Sequence, residues 1–363
     1  MTTYKYAVKD HHSCGIYLEL NNLSQGVIIQ EGFFDFLDKI KNGSKIPDKP
    51  DPYVPEIVTD NYGASHKIAL LEKNEVYDLD VQNGCASANK ESIIAAYDEA
   101  INRYSALEGK VAYVSHSLVY LYEGNYYPTN KLTLLFATKS EDIANNNDKI
   151  IFAGQWDVET HLNVEISKQK REFIAEFIQN DSLLLIDGPF LAGDGMAVFK
   201  GIIKECFLDR GVISVFVVKN SYSSLVTDCI PELKGKYNSD LHWSNTILKP
   251  GQRTRFYKYT DQKSSDNSKV FCYLKFREGS SPIRIEIPTP VFEANVRKIN
   301  TVMDMIYYFI LVQGNYKNPQ ARPIAIAEMF ARETLNLINF NKEMKVSHLT
   351  STMNQERGMD FND

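Results

Sequence analysis

The feature that most constrains this chain is the stretch Ser182-Leu183-Leu184-Leu185-Ile186-Asp187-Gly188-Pro189-Phe190. Four consecutive apolar residues predict a strand buried on both faces, and the run stops on a carboxylate followed by a Gly-Pro turn. In α/β sheets, ligands gather in the crevice at the carboxyl ends of the strands. Asp187 therefore stands where it either acts on a ligand or simply caps the turn that follows it.

The rest of the chain supplies elements to surround such a strand. Residues 162–178 place Ile166, Phe173, Ile174 and Phe177 at helical spacing and lead directly into it. Residues 211–219 (GVISVFVVK) predict another buried strand. Residues 91–107 predict an amphipathic helix on Ile94, Ala95, Tyr97, Ile101 and Tyr104. Strands are expected over 110–122 and 131–137, and an antiparallel pair over 269–277 and 282–288. Residues 66–71 and 76–81 read as a hairpin across Glu72-Lys73-Asn74-Glu75. Helices are expected over 197–207, 295–312 and 323–340. Strands first, then alternating helix and strand, predict an α/β fold built on a mixed sheet flanked by helices.

At the N-terminal end, residues 27–40 read as a helix, followed by a proline-rich connector over 41–55. Phe33, Phe34 and Phe36 exceed what one helix face needs, so they pack either on another chain or on the parent domain. The chain thus divides into an N-terminal interaction segment (1–45), a main domain (46–340) and a polar tail (341–363) expected to fray.

Composition excludes several classes. Cys14, Cys85, Cys206, Cys229 and Cys272 are odd in number and scattered, with no CxxC pair. That argues against a disulfide framework or zinc ribbon and favours a reducing, cytoplasmic setting. No apolar leader opens the sequence, and the longest apolar stretch, 305–312, is too short to span a bilayer. Walker A, GxSxG and HExxH motifs are absent, which removes self-driven ATP chemistry, serine hydrolysis and zincin chemistry. A net charge of −6 argues against a basic footprint over the whole surface, but not against a basic groove. One cluster is Lys168-Gln169-Lys170-Arg171. The other interleaves Lys249, Arg253, Arg255 and Lys258 with Phe256, Tyr257 and Tyr259, the mixture that tracks a nucleic-acid strand. Either cluster also reads as solvated charge beside a strand.

Acids are better placed. Residues 56–60 read as a short strand ending on Asp60, so two strands end in carboxylates. The helix before the second strand runs antiparallel to it. At 1.5 Å per residue against roughly 3.3 Å, a five-residue strand is matched by about eleven helical residues. The level of Asp187 then falls near residues 168–169, within a turn of both Glu165 and Glu172. Converging carboxylates repel one another unless a divalent cation holds them. Oxygen ligands suit Mg²⁺ or Mn²⁺, the ions of metal-assisted phosphodiester hydrolysis.

Five segments in order then resemble the NurA nucleases: LLLIDGPF, GVISVFVVKNS, LKPGQRTRFY, SSPIRIEIPTP and RPIAIAEMFAR. The resemblance implies a ribonuclease H-like fold and Mn²⁺-dependent (or Mg²⁺-dependent) cleavage of DNA. It also implies a ring-like homodimer and a HerA-type hexameric ATPase partner, in DNA end processing or anti-phage defence. Carried over by residue, Asp187 matches the second aspartate. Asp60 matches the first, although Asp60-Asn61-Tyr62-Gly63 replaces the usual Asp-Gly-Ser. Glu165 or Glu172 is the helix acid. Lys219 ends the strand that follows Asp187 and is placed to meet a phosphate. An acidic chain that holds DNA must concentrate its positive charge in a groove, for which Lys249, Arg253, Arg255 and Lys258 are the candidates. The late histidine of the family falls on Glu328, which can serve as an oxygen ligand but cannot donate a proton in the same way near pH 7. Gln320 stands at the family's tyrosine, and Tyr316 lies out of register. These departures motivate an alternative, a catalytically impaired DNA-binding or scaffold subunit.

Overall fold

A buried run needs hydrogen-bonding partners on both edges and apolar cover on both faces, and the fold supplies them through one large mixed sheet. The computed structural model describes residues 66–90, 93–191, 199–262, 267–315, 319–346 and 349–352, with three short strands before them, Tyr6–Lys9, Ser13–Ile16 and Asn61–Tyr62. The expected helix over 27–40, the connector over 41–55 and the strand ending on Asp60 lie outside the described residues.

Three long strands form an antiparallel meander: β1 (Ile94–Ser105), β2 (Lys110–Tyr122) and β3 (Asn125–Thr138). A helix, α1 (Val158–Phe177), crosses back to β4 (Leu183–Asp187), which pairs parallel to β1. Parallel to β4 runs β5 (Ile213–Val218). The resulting order, β3-β2-β1-β4-β5 with only β2 reversed, is that of a ribonuclease H-like core. Beyond β5 the sheet continues antiparallel through β8 (Ile283–Pro288), β7 (Ser268–Lys275) and β6 (Tyr257–Asp261). Short edge strands complete a 13-stranded sheet.

Two helices cover the meander from opposite sides. Ala112 and Val114 of β2 pack with Leu162 and Ile166 of α1. Val111 and Tyr113 pack instead with Leu335, at the end of α3 (Arg322–Leu335). Neighbouring strand residues point to opposite faces, so α1 and α3 sandwich the sheet. Buried from Val111 through Tyr120, β2 shows the continuous burial that cover on both faces demands.

Helix α2 (Val296–Gln313) packs on a helix over Val81–Lys90 that the sequence reading missed. Their approach requires Gly84, where a Cβ would come within 2.2 Å of the Asp304 carbonyl oxygen. Asp304 secures the same contact by accepting from Asp80 N at 2.9 Å and Asn83 Nδ2 at 2.7 Å.

Several expectations are corrected. Residues 94–105 form β1 rather than an amphipathic helix. The spacing of Ile94, Tyr97, Ile101 and Tyr104 imitates helical periodicity, but Ile94 to Tyr97 are buried as a continuous run in mid-sheet. Residues 66–71 and 76–81 do not form a hairpin: His66–Leu70 pairs with β6, and Val76–Asp78 pairs with Gln252–Thr254. Within 341–363, expected to fray, Phe340–Val346 is helical with Met344 buried, and Thr350 hydrogen-bonds Glu108. Among the described residues no helix is long and apolar enough to cross a membrane.

Candidate functional site

The parallel pairing of β1 with β4 places Tyr97 opposite Ile186. One residue further on, both strands carry an aspartate, Asp98 and Asp187, on the same face of the sheet and separated by the roughly 4.8 Å between neighbouring strands. Which face this is follows from their neighbours. The Tyr97 ring lies tilted against Phe173 of α1, and Arg103 bonds Glu159 and Asn163 of α1. Ala100 and Tyr104, in phase with Asp98, pack in the Leu335 cluster on the other side. Asp98 and Asp187 therefore face α3, the helix that carries Glu328.

Asp98 is 9% exposed. Burial, then the charge of Asp187 and, more weakly, that of Glu328, push its carboxyl up to about 7, against the opposing effects of the Glu99 amide and Lys219. Asp187 is half-buried at the end of β4. Its Oδ2 meets Lys219 Nζ at 2.9 Å, while Oδ1 is buried and has no hydrogen-bond partner. The turn after it relies on Gly188, whose φ of +94° glycine adopts freely and whose N–H reaches the Val217 carbonyl at 3.0 Å.

An orphaned carboxylate oxygen beside a carboxyl with a raised pKa fits a divalent cation, because such an ion would satisfy the first and displace the proton from the second. Two aspartates alone do not enclose one. Among the described residues no group of three or more His, Cys, Asp or Glu side chains stands ready to hold a metal. Glu328 is near enough to influence Asp98 but is bonded to Arg332, one turn along α3.

The helix glutamates do not join this pair. Glu172 is exposed, and half-buried Glu165 pairs with Lys168 at 3.4 Å. Lys170 of α1 reaches β1 at Glu99, the residue after Asp98. What α1 meets is the reverse side of the sheet. Lys170 pairs with Glu99 at 3.3 Å, and the Tyr97 hydroxyl bonds Glu99 at 2.6 Å and His116 Nδ1 at 2.7 Å. Burial pushes Glu99 up, but Lys170 and the Tyr97 hydroxyl outweigh it and hold the carboxyl below its ordinary value. Burial lowers His116 to about 4, so it is neutral under ordinary conditions.

The expected basic groove also changes. Arg253 is buried, holding both oxygens of Glu72 at 2.7 and 2.9 Å and lying over the Tyr77 and Phe256 rings. Arg255 is buried as well. Both arginines are structural, and Phe256 and Tyr257, which follow them, are buried. Of the four, only Lys249 is exposed, and half-buried Lys258 pairs with Glu293 at 2.9 Å. Asp60 lies outside the described residues.

Asp98 was missed because its segment read as a helix. The signal was present: Ser92-Ile93-Ile94-Ala95-Ala96-Tyr97-Asp98 is an apolar run ending on an acid, the same pattern as Ser182 to Asp187.

The family model of the NurA domain matches residues 77–331. No curated protein matches the sequence. Among solved structures, the chain is similar to the NurA nuclease from Sulfolobus solfataricus, at 11% identity over 76% of this chain and 88% of that one, with a TM-score of 0.45. It is also similar to a NurA bound to dAMP and manganese (7% identity, 72% and 89% covered, TM-score 0.40). A third similar structure is endonuclease V from Bacillus subtilis (11% identity, 70% and 84% covered, TM-score 0.35).

Proposed function

Because the chain belongs to the NurA family, we propose that it is a metal-dependent DNA nuclease whose working carboxylates are Asp98 and Asp187. The observation that carries this reading is the juxtaposition of the two aspartates, one holding an orphaned oxygen and the other a raised pKa. Asp98 takes the role that sequence comparison had given to Asp60, which precedes the matched region.

Asp98 and Asp187 would hold Mn²⁺ or Mg²⁺ from adjacent strands, Asp98 from within β1 and Asp187 from the end of β4, with Glu328 as the acid offered by α3. When bound, such an ion polarises a phosphoryl oxygen and lowers the pKa of water, the chemistry that phosphodiester hydrolysis needs. Lys219, just past the end of β5, would meet a phosphate of the DNA from beside Asp187. The buried face of α1 keeps water from the reverse side of β1. The expected outcome is Mn²⁺-dependent cleavage of single-stranded or plasmid DNA that stops with EDTA. Absence of cleavage with either ion would contradict the reading.

A second reading has its own support. Lys219 occupies Asp187, and Glu328 is engaged by Arg332. A chain held in that arrangement would bind DNA without cutting it, as a scaffold subunit. DNA retention without turnover would select that reading.

Family membership and the lack of a nucleotide-binding loop in the sequence also support an assembly, a homodimer docked on a HerA-type hexameric ATPase in DNA end processing or anti-phage defence. Light scattering tests the dimer, and co-purification tests the ATPase.

A further inference from the structure

Tyr222 is 90% exposed, more than any other large apolar or aromatic side chain among the described residues. Single exposed aromatics are common on protein surfaces and need no explanation. This one is set apart by how firmly its backbone is held.

Ser221 and Ser223, on either side of it, both accept hydrogen bonds from Nη1 of Arg284, and their hydroxyls lie 2.8 Å apart. Ser223 N donates to Ser221 Oγ at 3.2 Å, and the Ser223 carbonyl accepts from Asp240 N at 2.9 Å. Arg284 is itself buried, its Nε on Glu286 Oε1 at 2.7 Å. Glu286, fully buried, also takes Lys269 Nζ at 2.6 Å and Phe190 N at 2.8 Å. Charges are buried at high cost unless each finds its partner. The cost here secures both segments that leave the candidate site: the turn after Asp187 is tied through Phe190, and the loop after Lys219 through Ser221 and Ser223.

Both serine side chains turn to Arg284, so the aromatic ring between them is left in solvent on a fixed backbone. It lies three positions after Lys219, a span of at most about 11 Å. A phosphate meeting Lys219 would bring a neighbouring base within reach of that ring. Resting on the site proposed above, we infer that Tyr222 is a stacking platform for an unpaired nucleobase next to the phosphate at Lys219. A base inside a duplex has both faces covered by its neighbours, so the platform makes the site prefer single-stranded or frayed DNA ends. Stacking of this kind tolerates any sequence, and a pre-ordered backbone lowers the entropy lost on binding.

The test is the affinity of the full chain for a short fluorescein-labelled single strand, read by anisotropy in EDTA so that no cleavage intervenes. Tyr222→Ala should weaken binding by about 5-fold or more, while Tyr222→Phe stays within about twofold of wild type. A strand with abasic sugars in place of nucleosides should bind wild type and Tyr222→Ala alike, which separates stacking from phosphate contact. Equal affinity of wild type and Tyr222→Ala for the base-bearing strand would overturn the inference. So would an equal loss on the abasic strand, or a wild type that does not bind the single strand at all. Cleavage by wild type in Mn²⁺ is scored separately: a protein that binds through Tyr222 yet never cuts keeps the platform and loses the nuclease.

Discussion

Asp98 stands beside Asp187, one residue beyond the pairing of Tyr97 with Ile186 on neighbouring parallel strands. The two acids come from segments 89 residues apart in the sequence (187 − 98), and only the closure of β4 against β1 brings them together. This neighbourhood explains why burial and the charge of Asp187 push the Asp98 carboxyl up to about 7.

That shift gives a stability prediction with a definite sign. A carboxyl raised in the folded state keeps its proton where the unfolded chain has lost it, so the folded state binds more protons between the ordinary aspartate value of 3.8 and about 7. The contribution of Asp98 is fully present below pH 4 and is lost as pH rises towards 7, at no more than about 1.4 kcal/mol per pH unit. Urea denaturation in EDTA, wild type against Asp98→Asn, should show the variant gaining relative stability from pH 5 to pH 7. Parallel profiles would contradict the prediction. Because a cation must displace the same proton, Mn²⁺ affinity measured by calorimetry should also rise through this range.

The helix acids should be dispensable. Glu172 is exposed, and α1 meets the face of the sheet opposite the one carrying Asp98. The double variant Glu165→Gln, Glu172→Gln should retain DNA cleavage within about twofold and stability within about 0.5 kcal/mol. A loss of 100-fold or more in initial rate would return one of them to the site.

Arg253 should behave as a core residue rather than a DNA contact. Replacing it with Met leaves Glu72 without its bidentate partner and removes contacts to Tyr77 and Phe256, at a cost of about 3–5 kcal/mol. Chemical denaturation should show that loss. Neutralising exposed Lys249 should leave stability nearly unchanged. A folded, fully stable Arg253→Met protein with weakened DNA binding would reinstate the groove.

Much of the fold was legible in the sequence. Runs such as Leu183–Ile186 and Val215–Val218 are apolar without interruption, as strands covered on both faces are, and they announce a buried sheet. The antiparallel pair β7 and β8 was legible for the same reason. Asp187 was visible as the acid on which such a run ends. Asp98 was hidden because Tyr97, Ile101 and Tyr104 happen to fall at helical spacing in a long strand. The side of the sheet met by α1 was not legible at all: strand alternation tells which residues share a face, but not which helix covers it. Arg253 and Arg255 read as surface charge because nothing in their own segment announces Glu72, 181 residues away from Arg253.

The most direct measurement compares Asp98→Asn with Asp60→Asn in one Mn²⁺-dependent cleavage assay, with Asp187→Asn as the reference for a lost ligand. Asp98→Asn should fall with Asp187→Asn, by on the order of 100-fold or more, while the protein remains folded and Asp60→Asn keeps the wild-type rate. Full activity in Asp98→Asn alongside a dead Asp60→Asn would contradict the account and move the site away from the paired strands β1 and β4.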